Sequence, residues 1–230
     1  GDGIASTLVS GVPGAAVARY FVPADDGLGL SWTAKDFGDA DWPSGATAFG
    51  FETSPSTYDS LIETAIRPAD THPSSTSIFL RIPFDIVDLA TVDALQLRMK
   101  YDDGFVAYLN GTEVARRNAG GTAGTLVGFD HEATSHPDAQ ALVFEDIDVS
   151  AFSGALVQGE NVLAIHALNS SALNSDMLIL PELVEAPQPA SADSVGIPSA
   201  QPGGLQLTIG SLEFNPASGD QNEEYVEITN

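Results

Sequence analysis

Residues 95–101 carry Leu95, Leu97, Met99 and Tyr101 at alternate positions, with Gln96, Arg98 and Lys100 between them. Side chains along a β-strand point to opposite faces in turn, so this pattern sets an apolar face against a polar one and excludes an amphipathic helix. Asp102-Asp103-Gly104 ends the run with turn residues, and 105–109 supplies a second, apolar strand. Asn110-Gly111 comes next. Both residue types tolerate positive φ, which a two-residue hairpin needs, and 112–116 completes that hairpin.

The same period and punctuation recur along the chain. Strands are expected at 17–22, 77–82, 141–149, 161–168 and 177–183, separated by turns drawn from 22 Gly and 14 Pro. In 145–149, Ile147 and Val149 face a core while Asp146 and Asp148 face water. Residues 162–168 are nearly continuous in apolar side chains, which predicts a central strand covered on both faces. Short helical turns are expected near 57–66 and 85–89. Many short strands with such turns predict an all-β fold, an antiparallel β-sandwich or jelly roll. After Pro181 the composition shifts. Pro187, Pro189, Pro198 and Pro202 stand among Ala, Ser and Gly, and this reads as a linker. Beyond it, two more alternating segments flank Asn215-Pro216, too short for a core of their own. The expected organisation is a β-sandwich over 1–184, a linker over 185–204 and the incomplete start of a second β domain over 205–230.

Composition narrows the function. Asp and Glu number 32 against 8 Lys and Arg, a net charge of -24. Nucleic-acid binding needs clustered Lys and Arg and is excluded. With no cysteine, disulfides and thiolate metal sites are excluded as well. No apolar stretch approaches the roughly 20 residues of a membrane-spanning helix. The acidity has two readings that can both hold: a solvated surface suited to a saline medium, and a supply of oxygen ligands for calcium. His131 and His136 lie five apart, about 140° around a helix, so they do not form a zinc pair. His166, alone in an apolar strand, reads as a structural residue. No nucleophile elbow, phosphate loop or dinucleotide fingerprint is present, and catalysis is not expected.

Several motifs in order resemble a family. Asp36-Phe37-Gly38-Asp39-Ala40-Asp41-Trp42-Pro43-Ser44-Gly45 is followed by Phe79-Leu80-Arg81, then by the hairpin from Tyr101 to Arg116, then by Gly159-Glu160-Asn161-Val162-Leu163-Ala164-Ile165-His166. Together they resemble the galactose-binding-like jelly-roll modules of large secreted bacterial proteins. The resemblance implies a non-catalytic sandwich that binds glycans or polysaccharides outside the cell or at its surface. Leu212-Glu213-Phe214-Asn215-Pro216, with Glu223 to Asn230, is similar to the start of a bacterial lamin-tail domain, an immunoglobulin-like sandwich. Other domains of the same protein, or neighbouring chains, are the partners that this implies.

Asp102-Asp103-Gly104 is either a plain turn or a place for a hard cation. It is similar to the Asp-Asp-Gly of flocculin-type lectin domains, where an Asp pair and a later loop hold calcium against sugar hydroxyls. That resemblance implies calcium at Asp102 and Asp103, with Asn169, Asn174 and Asp176 as further ligands. Trp42 reads as packing in its turn. Trp32, expected to be more open, is the candidate sugar platform, with Tyr58, Tyr101 and Tyr108 weaker ones and Asn169 a polar contact. The leading expectation is a calcium-assisted carbohydrate-binding module; the alternative is a self-assembling surface or filament subunit.

Overall fold

A computed structural model of the chain describes residues 6–11, 15–53, 57–92, 94–185, 208–213 and 225–229. The chain divides into two compact units, Gly1–Gln188 and Pro189–Asn230. The first holds β1 (Ser6–Val9), β2 (Val17–Phe21), β3 (Ser44–Ala46), β4 (Phe49–Glu52), β5 (Thr64–Ala65), β6 (Ser77–Ile86), β7 (Leu95–Asp102), β8 (Gly104–Leu109), β9 (Thr112–Arg117), β10 (Glu145–Asp148), β11 (Gly159–Leu168) and β12 (Asp176–Glu185). Two single-turn helices, α1 (Pro68–Thr71) and α2 (Asp138–Ala141), lie in its connections. In the second unit, β13 (Thr208–Glu213) and β14 (Tyr225–Thr229) pair antiparallel. Of the expected linker, Glu185 instead closes β12; residues 186–204 and the turn at Asn215-Pro216 lie outside the described residues.

The first unit is an all-β sandwich. One sheet runs β10-β7-β12-β4-β5, with β1 also on β12; the other runs β3-β2-β6-β11-β8-β9. All pairings are antiparallel except the two-residue contact of β4 with β5. The inner faces meet in one core. Leu95, Leu97, Met99 and Tyr101 enter it from one sheet, and Ile78, Leu80, Ile82, Leu163 and Ile165 enter from the other. The alternation in 95–101 thus sorts as expected, with Gln96, Arg98 and Lys100 half-buried on the far face.

β11 is covered on both sides. Leu163, Ile165 and Ala167 face the central core, while Val162, Ala164 and Leu168 face a second cluster with Trp32, Trp42, Phe79 and Val106. His166 lies on that second side, 3% exposed, with Nε2 2.7 Å from Ser77 Oγ. Burial drives its pKa down to about 3, so it stays neutral there. A third cluster, Tyr58, Ala48, Ala141, Leu178 and Leu180, covers the outer face of the first sheet.

Three sequence expectations change. Residues 141–149 are not one strand. α2 ends at Ala141, which is fully buried in the third cluster, and pairing with β7 starts only at Glu145. Residues 57–66 are not a helix. The Glu52 carboxylate accepts the backbone N–H groups of Thr57, Tyr58 and Asp59, which holds them as a turn. The helical turn expected near 85–89 comes a little later: β6 runs on to Ile86 and pairs with Gly159 of β11, and a 3-10 turn follows at Leu89–Thr91, with Asp88 accepting from Ala90 N. The hairpin at Asn110-Gly111 forms as expected, with φ of 48° and 91°.

Candidate functional site

β7 delivers Tyr101, Asp102 and Asp103 to one end of the sandwich, and the chain turns there into β8. Gly104 permits this turn. A Cβ on it would lie 2.9 Å from the Ala133 Cβ and 3.0 Å from the Arg117 carbonyl oxygen. Asp103 is buried, and its carboxylate gathers two distant segments. Oδ1 accepts from His136 N at 3.0 Å, and Oδ2 accepts from Ser170 N at 2.6 Å and Asn174 Nδ2 at 3.1 Å. Asn174 Nδ2 also donates to Asn169 Oδ1 at 2.9 Å, and Asn169 Nδ2 donates to the Asp176 carbonyl at 3.0 Å. The loop between β11 and β12 is therefore fixed to the end of β7 by a closed hydrogen-bond network.

Asp102 is 2% exposed. Burial, with the neighbouring Asp103 and Asp176 carboxylates, pushes its pKa up to about 8. Burial likewise raises Asp176, with Asp138, Asp103 and Glu52 adding to the shift. Fully buried Tyr58 faces this group. Burial first, then the nearby Asp102 carboxyl, pushes its hydroxyl pKa up.

The five residues expected to hold calcium do come together at this end. Three of them turn side-chain oxygens to N–H donors: Asp103 meets three, Asn169 Oδ1 meets Asn174, and Asn174 Oδ1 meets Ser175 N at 2.8 Å; the Asp102 and Asp176 carboxyls face neighbouring acids instead. Calcium takes six to eight oxygens whose lone pairs point at it. Among the described residues no three carboxylate or imidazole groups are placed to hold a metal ion.

Beside this network an open cleft of about 620 Å³ is lined by Tyr101, Arg117, His136, Ala139, Gln140, Val143, Phe144 and Glu145. It sits where the sandwich's edge strands meet, β9 from one sheet and β10 from the other. Arg117 Nε of β9 donates to Glu145 Oε1 of β10 at 2.6 Å, and Tyr101 Oη donates to Glu145 Oε2 at 2.8 Å. The His136 ring stacks on Tyr101, with centroids 4.5 Å apart and planes at 26°. Because Asp103 holds the backbone of His136, the network behind the cleft positions one of its walls.

The expected aromatic platforms divide. Tyr101 lines the cleft, whereas Tyr108 is 2% exposed in the second cluster. Trp32 is not open, as the sequence suggested; it is 1% exposed and stacks on Phe79 at 4.2 Å. Trp42 packs as expected, stacked on Phe21 at 5.0 Å. Asn169 is buried inside its network. Sequence reasoning missed Arg117, His136, Gln140 and Glu145. The one signal for them was Pro137-Asp138, a helix-start pair inside a stretch read as loop and strand.

No protein-family model matches the chain, and no curated protein matches it. Among solved structures it is similar to a β-glucuronidase of an uncultured Clostridium sp., at 15% identity and a TM-score of 0.40, covering 72% of this chain and 22% of that one. A calcium-binding mutant of Bacteroides uniformis β-glucuronidase 2 gives 11% identity and a TM-score of 0.43 over 77% of this chain and 18% of that one. Bifidobacterium dentium β-glucuronidase gives 13% and 0.39, over 73% and 21%. The chain spans about a fifth of the length of these solved chains.

Proposed function

We propose that this chain is a non-catalytic carbohydrate-binding module of a secreted or cell-surface protein, and that the cleft between β9 and β10 receives the sugar. One observation carries the reading. The cleft joins apolar walls, Ala139, Val143 and the Tyr101–His136 stack, to hydrogen-bonding groups on Arg117, Glu145 and Gln140. Its volume falls within the range of small-ligand sites. Glycoside cleavage needs two carboxyl groups facing each other across the bond. Of the residues lining the cleft, Glu145 alone is a carboxylate, and Arg117 and Tyr101 engage it. The galactose-binding-like and lamin-tail-like resemblances of the sequence belong to the same reading, as does a place outside the cell. No helix among the described residues is long and apolar enough to cross a membrane.

Calcium has no step in this reading, which rests on the cleft and not on the Asp102–Asp103 turn. The test is retention on a panel of immobilised polysaccharides with and without EGTA. The reading predicts retention on at least one, unchanged by EGTA; no retention on any would overturn it.

A further inference from the structure

We infer that the cleft is built for a neutral vicinal diol and turns away acidic sugars, an inference that rests on the carbohydrate reading above. Arg117 is the one guanidinium or ammonium group of the lining, and Glu145 is the one carboxylate. They pair at 2.6 Å, with side chains 36% and 37% exposed, so their charges cancel while both remain within reach of a ligand.

Their hydrogen-bonding capacity is only partly used. Glu145 receives one donor on each oxygen, from Arg117 and from Tyr101, and each oxygen keeps a lone pair. Arg117 uses Nε on Glu145 and one Nη1 hydrogen on the Arg116 carbonyl, which leaves Nη2 free to donate. The pair thus presents a donor and an acceptor side by side. A hydroxyl can do both, so two adjacent hydroxyls satisfy the pair together, one accepting from Arg117 and the other donating to Glu145.

A carboxylate only accepts. It would gain Arg117 at the cost of lying beside Glu145, on a protein of net charge -24. An ammonium only donates and would lie beside Arg117. Gln140 adds a neutral donor and acceptor, and Ala139 and Val143 offer an apolar wall for the C–H face of a ring. Every wall of the cleft therefore favours an uncharged, hydroxyl-rich ligand.

The experiment is affinity electrophoresis of the full chain through native gels holding either neutral polysaccharides (galactan, mannan, β-glucan) or uronate ones (polygalacturonate, alginate). At least one neutral polymer is expected to retard the protein, and neither uronate polymer is. Arg117→Met should weaken that retardation at least roughly tenfold, as for loss of a hydrogen bond from a charged group. Glu145→Gln removes the repulsion and should bring on retardation by uronate. Should Arg117→Met fail to fold, as judged by thermal melting, the Glu145→Gln gels decide. Uronate retarding the wild type as strongly as any neutral polymer would overturn the inference and leave the carbohydrate reading standing. Neutral retardation untouched by Arg117→Met would place the sugar elsewhere and overturn it too. No retardation by any polymer would overturn both.

Discussion

Asp103 turns both carboxylate oxygens to N–H donors, while Asp102, one residue earlier and equally buried, faces other acids. The sequence cannot separate them, because both read as turn carboxylates. Asp102 has its pKa raised from 3.8 to about 8 by burial first. The folded protein then keeps a proton that the unfolded chain gives up above pH 4. Stability from that proton is complete below pH 3.8 and is lost as pH rises toward 8, by about 1.4 kcal/mol per pH unit. His166 works the other way. Its pKa falls from 6.5 to about 3, so its contribution is lost as pH drops below 6.5. Comparing a variant with wild type isolates the first effect. Asp102→Asn should gain on wild type by at least about 1 kcal/mol between pH 5 and pH 8 in urea denaturation. Parallel pH profiles for the two proteins would show that Asp102 ionises freely in the fold.

The motifs that carry the family resemblance act, at the scale of elements, as clamps between segments far apart in sequence. Arg81 of β6 is 2% exposed and pairs with Asp39 at 2.7 Å. It also donates to the carbonyls of Trp32, Ala34, Lys35 and Phe37, which straps the 32–39 segment over the outer face of its sheet. Asn110 of the hairpin reaches Asn161 at the start of β11 at 2.7 Å. Arg81→Met strands Asp39 and four carbonyls and should cost about 3 kcal/mol or more. Asp39→Asn, at a partly exposed position, should cost about 1 kcal/mol. Urea denaturation with the near-ultraviolet signal of Trp32 and Trp42 reads both. A cost for Arg81→Met below that of Asp39→Asn would refute the strap. These clamps also mark what the sequence conceals. Residues 95–101 were legible because one face meets the core and the other meets water. β6 was read as 77–82, yet it runs through Pro83 to Ile86. Past Arg81, β6 has β11 on one side and no longer pairs with β2, which leaves an edge where a residue without N–H is tolerated. The turn at 57–59 was illegible because what holds it is the carboxylate of Glu52 at the end of β4, a side-chain contact that no turn residue announces.

At the largest scale, the two sheets of the first unit close over one core and leave their edge strands β9 and β10 to frame a cleft. The sandwich was legible from alternation, but the cleft was not. Arg117 and Glu145 are 28 residues apart and meet only because two sheets bring their edges together. Net charge of -24 keeps such a surface soluble and repels anions, and the cleft balances its own charges locally. The central claim is that sugar binds between the sheet edges and not at the Asp102–Asp103 turn. Two-dimensional ¹H–¹⁵N NMR of the full chain, titrated with a neutral oligosaccharide cut from whichever polysaccharide retains it, tests this most directly. The account predicts shifts clustered at Arg117, His136, Gln140 and Glu145, the same with calcium or EGTA. Shifts confined to Asn169, Asn174 and Asp176, and appearing only with calcium, would contradict it.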